Sequence, residues 1–265
     1  MRPVMPFPAL STETFGLFLV CAARVAALMS SIPVFSSAQT PMQLKAGLSL
    51  TLSLLVFPII SPMITSLPQT PIGLGLLVGQ EALLGFILGF MGRLIFTAVE
   101  FGGTIIGYQM GFAAANVFDP QNQRQISLMS QFQSVFAILL FLALDAHHLF
   151  LRAIVHSYRL LPPGQLNLSG GAIPFLVDLT GNMFVLAVRF SAPILALLLL
   201  SGLVLGIMAR VFPQLNVFML SFPVNIGLAL LVIGLTFQMV STLLMREFNL
   251  LGERFMHIFQ LLGGT

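Results

Sequence analysis

Asp145, His147 and His148 form the one cluster in this chain whose residue types suggest metal binding or proton transfer. A zinc site needs three or four ligands converging on one point, whereas neighbouring histidines on a helix project about 100° apart. The other two histidines, His156 and His257, stand without a motif around them. The trio therefore reads as a polar cap where a helix meets water, and no metal ligands are assigned. There is no glycine–serine nucleophile elbow, phosphate loop or strand-borne dinucleotide fingerprint. The glycine spacings fall in apolar runs, where they signal packing. We expect no catalytic residues and no cofactor, and read the chain as a non-enzyme.

A second kind of chemistry lies in charges set where charge is costly. Arg24, Glu81, Arg93, Glu100 and Arg189 all sit in or beside strongly apolar segments. Ionisable groups there are expected to face a bundle interior, a partner or water. The most polar stretch in mid-chain is residues 116–125, NVFDPQNQRQ, holding Asp119, Pro120 and Arg124. Irregular backbone at membrane depth is tolerated where it lines a cavity, and a surface loop is the alternative. The single cysteine, Cys21, has no intrachain disulfide partner and reads as a small buried hydrophobe.

The elements that position these residues are apolar throughout. Only 7% of the 265 residues are charged and 57% are hydrophobic. Uncharged runs cover residues 46–80, 190–209 and 211–245, and about 20 apolar residues suffice to cross a bilayer. No soluble domain has a surface of this composition. The segments are too long for barrel strands of roughly 10 alternating residues, so the fold class is all-α, polytopic and membrane-type. The net charge of +3 comes without a basic cluster, so no nucleic-acid partner is expected. Arginines flank both ends of the helices, leaving no clear positive-inside bias.

Six helices are expected. The first covers residues 11–31, capped by Ser11 with Thr14 nearby, ended by Ile32-Pro33, and retained rather than cleaved as a signal. The second covers 44–66, with Pro58 and Pro62 kinking or ending it, and the third 72–98, rich in glycine. Gly103, Gly107 and Gly111 extend that small-residue stripe, open to intrachain or intersubunit packing. A fourth helix covers 127–144, followed by an amphipathic turn at 149–160 and a loop at 162–174. The last two, 176–210 with a kink at Pro193 and 218–245, form a hairpin about a turn at 211–216. The tail beyond Arg246 places Phe248, Leu251, Phe255, Phe259 and Leu262 at helical spacing, as a membrane-surface helix or a surface docked on a partner. Methionines such as Met110, Met129, Met183, Met208 and Met219 fill core gaps or serve as a gasket.

Several of these segments together resemble one family. They are Ala23-Arg24-Val25, Ser31-Ile-Pro-Val-Phe35, Glu81-Ala-Leu-Leu-Gly85, Gly102-Gly103-x3-Gly107, Phe118-Asp-Pro120 and Asp145-Ala-His-His148. The most specific is Ala209-Arg-Val-Phe-Pro-Gln-Leu-Asn-Val-Phe218, followed by Phe222-Pro223. The pattern is similar to that of the FliR family, the SctT-type components of the bacterial type III export gate. The resemblance implies a FliP-like helical part over 1–175, a FliQ-like hairpin over 176–245, and an amphipathic tail over 246–265. It implies partners that are FliP-like, FliQ-like and FlhB-like, and unfolded export substrates passing through a closed gate in the bacterial inner membrane at the flagellar basal body. Some helices would be lifted out of the membrane plane. Asn116, Val117, Phe118, Asp119, Pro120, Gln121 and Asn122 would form the plug loop, and Gly103, Gly107 and Gly111 its close-packed approach. The competing reading is a stand-alone secondary transporter, whose inverted repeats are not evident between the two halves of this chain.

Overall fold

The computed structural model describes residues 11–36, 40–64, 67–111, 128–167 and 170–263, and every regular element among them is a helix. In chain order these are α1 (Thr12–Ser31), the single-turn α2 (Pro33–Ser36), α3 (Met42–Ile60) with a 3-10 turn (Ser61–Met63), and α4 (Pro71–Gln109). They continue with α5 (Leu128–Ala143), α6 (Ala146–Leu160), α7 (Ala172–Val211) and α8 (Val217–Gly263). By length and composition α1, α3 with its 3-10 turn, α4, α7 and α8 can each cross a membrane. The count is six if α5 and α6 are taken as one broken span.

Local chemistry sets the ends of α1 and α8 and the turn before α8. Ser11 Oγ accepts from Thr14 N at 3.1 Å, satisfying one of the orphan amides of the first turn. Ile32, held extended before Pro33, stops α1. Pro213 follows the end of α7, and Asn216 Oδ1 caps α8 by accepting from Met219 N at 3.2 Å. These ends match the sequence reading.

The long helices do not. Helix α4 continues past residue 98 through Gly102, Gly103 and Gly107 to Gln109. α7, where a kink was expected at Pro193, is one continuous helix that holds this proline. α8 does not stop at Met245 but continues through the tail to Gly263, 47 residues in all. Glycine and proline weaken an isolated helix in water, but membrane-type helices tolerate both where neighbouring helices resatisfy or cover the backbone. The helices therefore continue where an isolated segment in water would end.

The chain divides into two compact units, and the boundary falls within α4, α7 and α8. The first holds α1, α3, the N-terminal part of α4, α6 and the end of α8. There Gly85 and Gly89 of α4 lie against α1. A Cβ at Gly85 would strike the Arg24 carbonyl, and one at Gly89 would strike Ser31 and the Leu28 carbonyl. The register rises together on both helices, so α1 and this part of α4 run parallel at backbone distance, as small residues spaced by four permit. Phe150 of α6 fills the space left by Gly92.

The tail segment of α8 packs into the same unit. Phe255 meets Phe150 edge-on at 5.4 Å, the His257 ring lies 4.8 Å from Phe175, and Asn167 N donates to Leu262 O at 3.0 Å. Leu251, Phe255, Ile258, Phe259 and Leu262 are all buried. The amphipathic stripe expected on a membrane surface or a partner is thus covered by the chain's own helices.

In the second unit, α5 packs antiparallel against the C-terminal part of α4. Phe96 meets Phe141 at 5.4 Å, and Ser130 Oγ donates to the Glu100 carbonyl at 3.0 Å. α7 and α8 pair through Ser201 Oγ and Asn225 Oδ1 at 2.8 Å. Ile106, Met110, Met129, Ile194, Leu198 and Ala229 form their shared apolar core with α4 and α5.

Replacing Gly85 with leucine should prevent the approach of α1 to α4, whereas leucine at Gly181, where nothing lies within 4 Å, should be accepted. Overpacking of this kind costs about 1–3 kcal/mol or more. Helicity followed through thermal unfolding in mild detergent should show a lowered midpoint for Gly85→Leu alone.

Candidate functional site

Arg24, at the centre of the first unit, is wholly buried. Its Nε donates to Glu81 Oε2 at 2.6 Å, Nη1 to Ser157 Oγ at 2.7 Å, and Nη2 to the Leu161 carbonyl at 3.3 Å. The guanidinium also lies over the Tyr158 ring, 3.7 Å from its centroid. One cation from α1 thus gathers an acid from α4 and the last turn of α6. A buried charge is tolerable only when paired and hydrogen-bonded, and arginine's planar fork allows several bonds at once. Tyr158 adds a weaker tie from its hydroxyl to Val20 O at 3.4 Å. Glu81 Oε1 has no hydrogen-bond partner among the described residues, so the acid depends on Arg24. The sequence left both charges open to a bundle interior, a partner or water, and only the fold pairs them in the interior.

The other three charges in apolar helices stand on the chain's exterior. Arg93, Glu100 and Arg189 are exposed, and Glu100 Oε1 accepts from Ser134 Oγ at 3.0 Å.

The three glycines expected at the approach sit at different points of α4 and its end. Gly103 is where α4 meets α5: a Cβ there would come within 2.6 Å of Ser130 Cα and 2.8 Å of Gln133 Oε1. Gly107 is buried in the last turns of α4. Gly111 ends the helix. Its φ of +93° is accessible to glycine at little cost, and its amide donates to the Tyr108 carbonyl at 3.1 Å. The Phe222 ring of α8 covers it, leaving no room for a Cβ. From this point the chain enters residues 112–127. The expected plug residues Asn116, Val117, Phe118, Asp119, Pro120, Gln121 and Asn122 lie there, outside the described residues.

The methionines divide by position. Met110 and Met129 belong to the second unit's core and Met183 is buried, whereas Met208 lines an apolar groove between α7 and α8 and Met219 is exposed. Asp145, His147 and His148 lie together at the start of α6, with the two rings 4.2 Å apart.

Helices of membrane length that keep two opposite charges paired in the interior define a polytopic all-α protein of the membrane type. The sequence comparisons narrow this further. The family described as "Bacterial export proteins, family 1" matches residues 15–251, and the chain belongs to that family. The chain is 32% identical over 255 residues to the flagellar biosynthetic protein FliR of Bacillus subtilis, covering 95% of this chain and 97% of that one. It is 33% identical to the FliR of Pectobacterium carotovorum over 82% of each chain. To the FliR of Escherichia coli it is 29% identical, over 87% of this chain and 89% of the relative.

Substitutions at both sites test these readings. Arg24→Met should strand the Glu81 carboxylate and cost about 3–5 kcal/mol, while Arg24→Met with Glu81→Leu should recover most of that loss. Denaturant unfolding in detergent, followed by circular dichroism, should rank the double variant above the single one. Gly111→Val, forced to a positive φ under the Phe222 ring, should lower the unfolding midpoint more than valine at the open Gly206.

Proposed function

We propose that this chain is a structural channel subunit of the flagellar type III export gate, through which unfolded flagellar proteins cross the inner membrane. The observation that carries the reading is the match to the bacterial export family over residues 15–251. Full-length similarity to flagellar biosynthetic FliR proteins supports it. The gate would contain FliP-like and FliQ-like subunits, with an FlhB-like subunit at its base. Residues 1–175 would take the FliP-like place, 176–245 the FliQ-like hairpin, and the end of α8 would brace the first of these.

The apolar surface of the hairpin supports a role within an assembly. Only 22% of the most apolar window of α7 and 6% of that of α8 is buried inside the chain, although both are strongly apolar. Leu199, Leu203, Phe218, Met219 and Leu235 stand exposed. A groove of about 370 Å³ between the two helices is lined by Leu197, Val204, Met208, Leu220 and Val224. Exposed apolar surface on this scale needs lipid or neighbouring helices to cover it. Arg210 and Gln214, at the turn of the hairpin, would face neighbours or the cytoplasmic side.

Residues 116–122 would act as the plug, held at one end by Gly111 and at the other by α5. The close packing of Gly111 under the Phe222 ring supports a fixed anchor at the end of α4.

Expression with the neighbouring export genes, mild-detergent purification and native mass spectrometry test the assembly. A complex with several FliP-like and FliQ-like chains is the expected result, and a stable lone monomer or homodimer would move the reading to an autonomous transporter. Within the assembled gate, deleting residues 116–122 should make cells leak ions and small molecules in a dye-uptake assay. A tight membrane after deletion would remove the plug assignment.

A further inference from the structure

Neighbouring histidines on a regular helix diverge, yet here they converge. The helix breaks between α5 and α6 at Asp145, whose backbone lies in the left-handed region at φ +52°. That places Asp145 at the N-cap of α6, with His147 and His148 in the first turn. An aspartate at an N-cap ordinarily accepts a hydrogen bond from the first-turn amides. The Asp145 side chain makes no such bond and lies beside the imidazoles instead. Asp145 Oδ1 is 3.6 Å from His148 Nδ1 and 3.9 Å from His147 Nε2. The rings are 4.2 Å apart and tilted by 36°. One donor atom from each residue lies within 4.8 Å of the others.

We propose that Asp145, His147 and His148 form a binding site for a divalent first-row transition metal of the zinc type, with water completing the coordination shell. Two imidazoles and one carboxylate are a donor set that zinc and its neighbours accept. Calcium and magnesium take mainly oxygen ligands, so the two nitrogens select against them. Bonds of about 2.0–2.2 Å to a tetrahedral metal bring ligand atoms to roughly 3.4 Å from one another. The separations to Asp145 exceed this by a few tenths of an ångström, and the spread of the whole trio, up to 4.8 Å, by more than an ångström.

Side-chain rotations close these gaps. His148 is 56% exposed and Asp145 73%, so these two groups have room to turn towards the less exposed His147 and water has access. The positive end of the α6 dipole opposes a cation here, and the carboxylate offsets it. A bound metal would tie the residue that breaks the helix to the first turn of α6, holding Asp145 in its left-handed conformation.

The test uses the full chain, purified in mild detergent through a tag without histidine, and titrated with Co²⁺. The expected result is one equivalent bound with visible d–d absorption, displaced by Zn²⁺. His148→Ala and Asp145→Asn should each weaken binding at least tenfold, while His257→Ala leaves it unchanged. Absence of a stoichiometric site in the folded wild type, or binding retained by the His147→Ala/His148→Ala double variant, would overturn the proposal. X-ray absorption on the zinc-loaded wild type gives a reading that no misfolded variant can confuse. Scattering from two imidazoles supports the site, and a shell of oxygen alone overturns it. None of these readouts depends on export, so the metal site and the gate reading fail separately.

Discussion

The buried Arg24–Glu81 pair is the constraint around which the first unit is arranged. A guanidinium in an apolar interior cannot be left without partners, and its three bonds go to two other stretches of chain: the acid of α4, and the serine near the end of α6 with the carbonyl just beyond it. Because these bonds are directional, they specify which helices meet and in what register. Apolar packing alone would accept many registers among helices so rich in leucine and glycine. The glycines at 85 and 89 then allow α1 and α4 to approach closely, and Gly85 lies one helical turn from Glu81 on the same face. Ion pair and glycine seam act on the same crossing.

The second unit uses the same materials without a buried ion pair among its described residues. Its helices are aligned by Gly102 against Ala187, Gly103 against Ser130, ring-on-ring contacts of phenylalanine, and the Ser201–Asn225 hydrogen bond. In an environment where hydrophobic burial gives little drive between helices, close backbone approach and a few polar bonds carry the specificity. The exposed faces of α7 and α8 are the complement of this economy. They are apolar because lipid or other helices cover them, and they carry few polar groups to fix a partner within the chain itself.

Much of the fold was legible in the sequence. The cap at Ser11, the stop at Ile32-Pro33, the hairpin about Pro213 and the glycine-rich run of α4 each follow from local stereochemistry or from runs of apolar residues. The errors share one cause. The third and last helices were expected to end near Ala98 and Met245, but they run on to Gln109 and Gly263. Where apolar surroundings offer no water to an unpaired backbone group, continuing the helix is favoured over ending it. The tail was misread for a related reason. Its apolar stripe is evident in the sequence, but the surface that covers it comes from α6 and from residues more than seventy positions earlier in the chain.

The sequence by itself determined the solvent and the class. Composition and uninterrupted apolar length require a membrane-type helical protein, because no water-facing surface can be made from these residues. It also marked which residues would be exceptional: the charges in apolar helices, the spaced glycines and the Asp-His-His cluster. Only the tertiary structure decided what these exceptions do. It paired Arg24 with Glu81 while leaving Arg93, Glu100 and Arg189 outside, and it gave Gly103, Gly107 and Gly111 three different roles. It also turned two divergent histidines towards one carboxylate. The physical reason is that local preference acts over a few residues, whereas the pairing of charges and the closeness of backbones depend on which distant helices share a face.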